Sequence, residues 1–367
     1  MPLTFEECQR LFRGDRITEL ARDVDGIRYL KLRSLNRREG LQRLFDIAGA
    51  PVPEANAVQL FSRAFESGIT VAQIEACIRE IYVQERVGRR DQEAELINQL
   101  YRLQEFNWGG LHQNSLEKTI VDNYVKKIKN YDRLNEAIEN NLYASMRGYV
   151  LCSWYNHWTS IIIEDLFRDH RNVLPAVGLV KKIDFFIRDT PFDLKVTYLP
   201  EGFLARERQE AGSRPELTLL RQIARRLAVP IPADLPNSAL LQDLWLKLSD
   251  HPNEEGRAVI RELLDFRNRL VRSIKEEPAE LITWLYEEQG VRRFDASNRL
   301  FLVLVDERNY FESWKLKRAK ALLEAQVNEF LDNVGEHVGR DIEFEWEGDT
   351  YIVKADLILV TNAGAQP

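Results

Sequence analysis

Cysteine is scarce in this sequence, and the cysteines present stand far apart. Of 367 residues only Cys8, Cys77 and Cys152 are cysteine, and no two of them form a CxxC pair. The five histidines contain neither HExxH nor HxxxH zinc-ligand spacing. A disulfide framework and a zinc knuckle are therefore not indicated, and free thiols in a reducing compartment are expected.

Long apolar runs and familiar nucleotide signatures are missing as well. The longest apolar stretches, such as residues 300–305, have the length of a strand, far short of the ~20 residues of a membrane helix. The N-terminus lacks a basic segment followed by an apolar one, so we expect no signal peptide and a soluble, cytoplasmic protein. No Walker loop, GxGxxG or GxSxG motif occurs.

Positive charge is in deficit, whereas core-forming residues are plentiful. The 51 Lys and Arg face 58 Asp and Glu, which gives a formal charge of −7. This balance argues against coating nucleic acid through bulk positive charge, although it permits a local basic cleft. With 44% hydrophobic residues, including 17 Phe, the chain is expected to fold around a packed core.

Helical patterns dominate most of the chain. Residues 1–110 are predicted to form a mostly helical region, with its boundary at the Asn-Trp-Gly-Gly segment 107–110. A long aromatic-rich helix is predicted over about 132–167, and helices return at about 204–297. Residues from about 312 to 333 make a further long amphipathic helix.

Strand patterns lie between the helical stretches. The β-rich runs 179–187 and 192–198 flank the turn residues 188–191, which predicts a hairpin. Residues 300–305 have the length and composition of a buried strand. A closing hairpin is predicted over 342–360.

Acidic and lysine side chains meet on the first of these hairpins. Asp193 and Lys195 share one face of their strand, because side chains alternate along a strand. A two-residue loop would bring Asp184 to that face, and a slip of one residue would separate them. Glu164, near the end of the preceding helix, can point to the same place, whereas Asp165 points elsewhere because neighbouring helical residues differ by about 100°.

Carboxylates placed this closely repel one another, and burying them together is costly unless a cation joins them. Mg²⁺ with oxygen ligands is the natural cation for such a set. A lysine beside the metal can position a water or neutralise charge on a phosphate. We interpret the set as a metal site for attack on a phosphodiester; the alternative is a solvated strand face with a cross-strand ion pair.

The order of these elements resembles the core of PD-(D/E)xK nucleases, the restriction-endonuclease-like superfamily. The resemblance covers about residues 145–200, with looser support to about 360. It implies an α/β fold in which helices flank a mixed central β-sheet. Residues 111–367 would form the nuclease domain with a helical insertion at about 204–297, and the helical region 1–110 would serve DNA recognition.

The resemblance also implies roles for individual residues. Asp184 would be the first acid, Asp193 the second and Lys195 the motif lysine, with Glu164 as an auxiliary acid and metal ligand. Leu194 would offer its backbone carbonyl to the metal. No proline precedes Asp184, a variation that the family commonly tolerates. The implied cofactor is Mg²⁺, for which Mn²⁺ is expected to substitute.

The size, the helical N-terminal region and the lack of helicase or ATPase motifs are most similar to a type II restriction endonuclease. The resemblance then implies cleavage of double-stranded DNA to 5′-phosphate and 3′-hydroxyl ends. It further implies a homodimer, and a cognate DNA methyltransferase in the same system, with no membrane partner. Two other functions stay open: another defence or structure-specific nuclease of this fold, and a catalytically silent DNA-binding protein.

Basic clusters supply candidate contacts to DNA phosphates, although a solvated helix face is the alternative interpretation of each cluster. The cluster at 28–38 is favoured because aromatic and polar residues are interleaved in it. The residues predicted to bind DNA are Arg28, Lys31, Arg33, Arg37, Arg38, Lys126, Lys127 and Lys129.

Overall fold

The fold is mixed α/β, as expected, with helices around one six-stranded sheet. It is known from a computed structural model that describes residues 2–35, 37–112, 115–178, 180, 182–288, 297–335, 338–346 and 348–362. No helix in these ranges has the length and apolar character that crossing a membrane requires.

Six helices form the N-terminal region. They are α1 (Phe5–Arg13), α2 (Ile17–Leu20), α3 (Val24–Ser34), α4 (Arg38–Ile47), α5 (Ala57–Glu66) and α6 (Val71–Leu100). The side chain of the N-cap residue Thr70 accepts a hydrogen bond from the Gln73 backbone at the start of α6, and Ile74, Cys77 and Ile78 are buried. The helices share one apolar core with the hairpin residue Phe186, so the region packs directly on the sheet.

The next helices lead into the sheet. They are α7 (Leu116–Ile120), which continues as a π-helix over Val121–Val125, α8 (Tyr131–Ala137), which continues as a π-helix over Ile138–Leu142, and α9 (Tyr143–Arg168). The aromatic-rich helix predicted over 132–167 is therefore confirmed, although its segment Ile138–Leu142 is wound as a π-helix, which is wider than an α-helix.

The sheet contains two hairpins joined through a parallel centre. Its strands are β1 (Val173–Pro175), β2 (Phe185–Ile187), β3 (Thr190–Tyr198), β4 (Arg299–Val305), β5 (Arg340–Trp346) and β6 (Asp349–Thr361). Their order is β1-β2-β3-β4-β6-β5, and only the pairs β3/β4 and β4/β6 are parallel. Both predicted hairpins are present.

The chain between β3 and β4 is helical, as predicted for 204–297. It forms α10 (Glu201–Glu210), α11 (Glu216–Arg226), α12 (Asn237–Ser249), α13 (Glu254–Glu276) and α14 (Ala279–Glu287). The last part of the predicted insertion, 289–296, lies outside the described residues. After β4, the helix predicted over 312–333 is split at Ala319 into a 3₁₀-helix (Tyr310–Arg318) and α15 (Lys320–Asp332).

Two helical layers cover the sheet. Helices α9 and α15 pack on the face that carries Leu194 and Leu302. Helices α10, α13 and α14 pack on the other face, against Phe301 and Val303. Because β4 and β6 contribute apolar side chains to both layers, the centre of the sheet is buried on both sides, as parallel strands require.

Candidate active site

The hairpin β2–β3 has the tight loop on which the predicted site depends. Ile187 pairs with Thr190, so the loop is the dipeptide Arg188-Asp189, with Arg188 in the left-handed region at φ 54°. The first strand is shorter than predicted. It begins at Phe185, because Lys182 turns the chain at φ 64°, and residues 179 and 181 lie outside the described part.

Asp184 interrupts the ladder between β2 and β3. Its backbone N–H donates to the Phe192 carbonyl (2.9 Å), while its carboxylate Oδ2 accepts the Leu194 N–H (2.7 Å). The carboxylate thus replaces a backbone acceptor, and it lies at the level of the sheet beside β3. The N–H and C=O of one strand residue point to the same side, so the Leu194 carbonyl is directed toward Asp184 as well.

Asp193 and Lys195 share a face of β3, as strand alternation predicts. Lys195 Nζ lies 2.8 Å from Oδ1 and 2.7 Å from Oδ2 of Asp193. Asp193 is buried, whereas the Lys195 side chain is 43% exposed. A second cation, the buried Arg299, brings its Nε to 3.6 Å from Asp193 Oδ2. Parallel pairing of β3 with β4 places Arg299 beside Asp193, a neighbour that the local pattern around Asp193 did not reveal.

Glu164 reaches the same region from α9. Its carboxylate accepts from Arg168 Nη2 (2.9 Å), and Arg168 Nε donates to the Asp184 carbonyl (3.3 Å). Arg168 therefore connects the helix acid to the start of β2. Arg168 is a functional neighbour that was not predicted, although its i+4 spacing from Glu164 on a helix is the sequence signal for such a pair.

Burial and like charge act together on the two partly buried acids. Burial raises the pKa of Asp184, the charge of Asp193 raises it further, and the Leu194 N–H opposes both. Burial likewise raises the pKa of Glu164, against the neighbouring Arg168, and the charge of Asp184 adds to the rise. Asp184 thus repels both Glu164 and Asp193, and a cation near Asp184 would relieve both repulsions.

The donor set suits Mg²⁺, since carboxylate and carbonyl oxygens are the ligands that this ion takes. Glu164, Asp184 and Asp193 do not gather as a trio within 4.8 Å; of the described residues, only Glu207, Glu210 and Glu280 do so. Mg²⁺ usually binds through one or two carboxylates, with water and phosphate oxygens completing its shell. Asp184 and Asp193 with the Leu194 carbonyl therefore fit it without a third acid.

The trio on α10 and α14 has a different explanation. Arg206 lies among these glutamates, with its Nη2 2.7 Å from Glu207 and 2.8 Å from Glu280. The guanidinium already offsets their charge, and Glu210 and Glu280 are exposed. Exposed acids gathered around an arginine are a common surface arrangement and indicate no metal.

Asp165 points away from the site, as predicted. It is 2% exposed, and its carboxylate accepts from Arg89 Nε (2.8 Å) and Nη2 (2.9 Å). Arg86 Nε lies 3.6 Å from the same carboxylate and also binds Asp169. These contacts pin α9 to α6 and so define the rotation of α9 that presents Glu164 to the hairpin.

The structure corrects part of the predicted DNA surface at 28–38. Lys31 is fully buried and pairs with Glu75 and Asp189, both at 2.6 Å. Arg28 donates to the carbonyls of Ser67 and Ile69 after α5. Both side chains lie on the face of α3 that packs inside the protein, so neither is available to contact a DNA phosphate.

The remaining basic candidates are more accessible. Arg33 is half-buried, with its guanidinium 4.9 Å from the Phe12 ring centroid. Arg37 and Arg38 are exposed at the start of α4. The second cluster, Lys126, Lys127 and Lys129, is exposed throughout, and Lys126 pairs with Asp122 on the preceding turn (2.8 Å). The accessible residues of the predicted DNA surface thus lie in two separate segments.

No protein-family model, curated protein or solved structure matches this chain.

Proposed function

We propose that this protein is a Mg²⁺-dependent endodeoxyribonuclease of the PD-(D/E)xK type that cuts double-stranded DNA at a specific site, as a type II restriction endonuclease does. One observation carries the proposal: Asp184 binds the Leu194 N–H while Asp193 and Lys195 project together from the same strand. The order of a helix with Glu164, three antiparallel strands, a helical insertion and a parallel strand further supports a restriction-endonuclease-like core.

Each side chain has a distinct task in the proposed reaction. Asp184 and Asp193 would hold the metal with the Leu194 carbonyl, and Mg²⁺ when bound polarises the phosphate and acidifies a water. Lys195 is half-exposed, so its ammonium can reach a phosphate or orient the attacking water. Glu164, held by Arg168, adds negative charge on the far side of Asp184. Mn²⁺ is expected to replace Mg²⁺ at such an oxygen site.

The test is cleavage of supercoiled plasmid DNA with Mg²⁺, with Mn²⁺ and with a chelator. Asp193→Ala and Lys195→Ala should each abolish the metal-dependent cleavage. The chain offers a matched control in a second strand ion pair, Lys354 with Asp341 at 2.9 Å. Asp341→Ala removes the same kind of contact from the edge hairpin and should leave cleavage unchanged. Cleavage that survives both site substitutions removes these residues from the mechanism.

The products separate the proposal from its alternatives. Discrete fragments with one shared end sequence, each carrying a 5′-phosphate, support a restriction endonuclease. Nonspecific degradation, or cutting of branched substrates alone, instead identifies another nuclease of the same fold. Specific DNA binding with no cleavage under any metal indicates a silent DNA-binding protein. In the host, a methyltransferase acting on the same sequence is the expected companion.

A further inference from the structure

A helical arm, residues 115–142, contributes no side chain to the apolar cores that the described residues form. It has a first limb, residues 116–129, and a second limb, residues 131–142, which runs on into α9. No residue of α7, α8 or their π-helical continuations is buried. The arm is nevertheless rich in large apolar side chains, of which Val125 is 63% and Tyr131 is 74% exposed.

Such an arm is poorly stabilised by its own contacts. Isolated helices shorter than about 12–15 residues are marginal in water, because nucleation is costly and packing normally supplies the stability. The helical part of the first limb, Leu116–Val125, is shorter than that and buries no side chain. Packing of its apolar side against another surface would supply the missing stability.

The exposed apolar side chains of the arm favour a protein partner over nucleic acid on that side. Phosphates and sugars gain nothing from contact with Val125, and Ile138 is exposed on the second limb as well. A groove of about 650 Å³ opens between the limbs, lined by Ile128 and Ala137 with charged residues of both signs. A standard protein interface takes roughly 20–30 residues from each side, which is the size of the arm.

The charges of the two limbs are opposite in sign, which favours a second copy of this chain as the partner. The first limb has four lysines against two acids, and the second has three acids against one arginine. The second-limb carboxylates Asp132, Glu136 and Glu139 are exposed. A two-fold axis that places the first limb of one copy against the second limb of another would match basic to acidic surface twice.

We propose that the arm is a dimerisation surface, on which the first limb of one chain packs against the second limb of a second copy. The apolar side chains of both limbs form the centre of this interface, and the lysines and carboxylates form its charged rim. Two arms combine into a four-limbed helical unit that neither chain can build alone. The inference does not depend on the proposed nuclease activity, because it concerns the free protein.

Sedimentation velocity of the full chain, without DNA or metal, tests the proposal. We expect a dimer at micromolar concentration. Val125→Asp should weaken it at least tenfold, because burial of that charge at the interface centre is costly. Val24 provides the matched control: it is 78% exposed on α3, and Val24→Asp should leave the dimer intact. A wild-type monomer across the concentration range overturns the proposal, as does equal behaviour of the two variants.

Charge exchange keeps the test independent of folding defects. Chain one carries Lys126→Glu, Lys127→Glu and Lys129→Glu, so both its limbs are acidic. Chain two carries acid-to-lysine changes in its second limb, so both its limbs are basic; the changes are Asp132→Lys, Glu136→Lys and Glu139→Lys. Each chain alone should be monomeric, and an equal mixture should recover the dimer. Failure of the mixture to associate, with both chains folded by circular dichroism, contradicts the pairing of limbs.

Discussion

Loss of charge at Asp165 should destabilise the fold and retain DNA cleavage, whereas loss of charge at the adjacent Glu164 should lower DNA cleavage with little loss of stability. Asp165→Asn keeps the shape of a side chain that is 2% exposed, but it removes the charge that pairs with Arg89 and Arg86. Breaking a fully buried ion pair by removing one partner costs about 3–5 kcal/mol, because the other charge is left uncompensated. Arg86 keeps its contact with Asp169, and Arg89 is 32% exposed, so we expect the lower end of this range, about 3 kcal/mol. Folding stabilities of domains are only about 5–15 kcal/mol, so this loss would be conspicuous.

The neighbouring Glu164→Gln is the matched comparison. Glu164 is 29% exposed, and burial disfavours its charged form. Loss of its ion pair with Arg168 should cost less than about 1 kcal/mol, as partly exposed pairs do. Glu164→Gln should lower the rate of DNA cleavage, whereas Asp165→Asn should retain cleavage at temperatures where it is folded.

Urea unfolding at one protein concentration, followed by circular dichroism and tryptophan fluorescence, measures the two stability changes. Plasmid cleavage at 15 °C measures activity while both variants are folded. Equal losses of stability in the two variants would refute the assignment of α9 faces. A stability loss below about 1 kcal/mol for Asp165→Asn would show that the cluster with Arg86 and Arg89 does not hold α6 to α9.

Two further changes test burial of charge elsewhere. Burial lowers the pKa of Lys317 from 10.5 to about 8. Below pH 8 the buried charge destabilises the fold, and stability rises toward pH 10.5 as the folded state releases its proton first. In urea unfolding at pH 7, Lys317→Met should therefore raise the free energy of unfolding by up to about 3 kcal/mol, less the contribution of the lost hydrogen bond to Asn156. This gain should disappear by pH 10.5. A difference between the two proteins that does not change with pH contradicts the prediction. Asp184→Asn should melt above the wild type without Mg²⁺, because it removes a charge that burial disfavours and that Asp193 also repels. In calorimetry, Mg²⁺ at 100 times its dissociation constant should raise the free energy of unfolding of the wild type by about 2.7 kcal/mol. Asp184→Asn should lack this rise. An equal rise in both proteins would place the metal elsewhere.

The sequence predicted best where structure follows from neighbours along the chain. Period-two alternation and turn residues placed Asp193 and Lys195 together, and helical spacing separated Glu164 from Asp165. Lys31 was predicted wrongly because its partners are distant: Glu75 lies 44 residues away and Asp189 lies 158 residues away. A basic helix face looks the same in sequence whether it meets solvent or acids brought from another element. Arg299 beside Asp193 was missed for the same reason, since parallel pairing of β3 with β4 crosses the whole helical insertion.

Helix α9 links the two proposals physically. It begins where the arm ends, its middle packs on the aromatic cluster with Trp314, and Asp165 near its end is held by Arg89. At 1.5 Å per residue, about 30 Å of helix separate the arm from Glu164. A helix fixed along its length moves as one rod, so a dimer formed through the arms would also define the spacing and orientation of two hairpin sites. That spacing would in turn decide which two phosphates of a duplex both sites can reach. An arm on a rigid helix can therefore control the geometry of a double-strand cut without contacting either reacting phosphate.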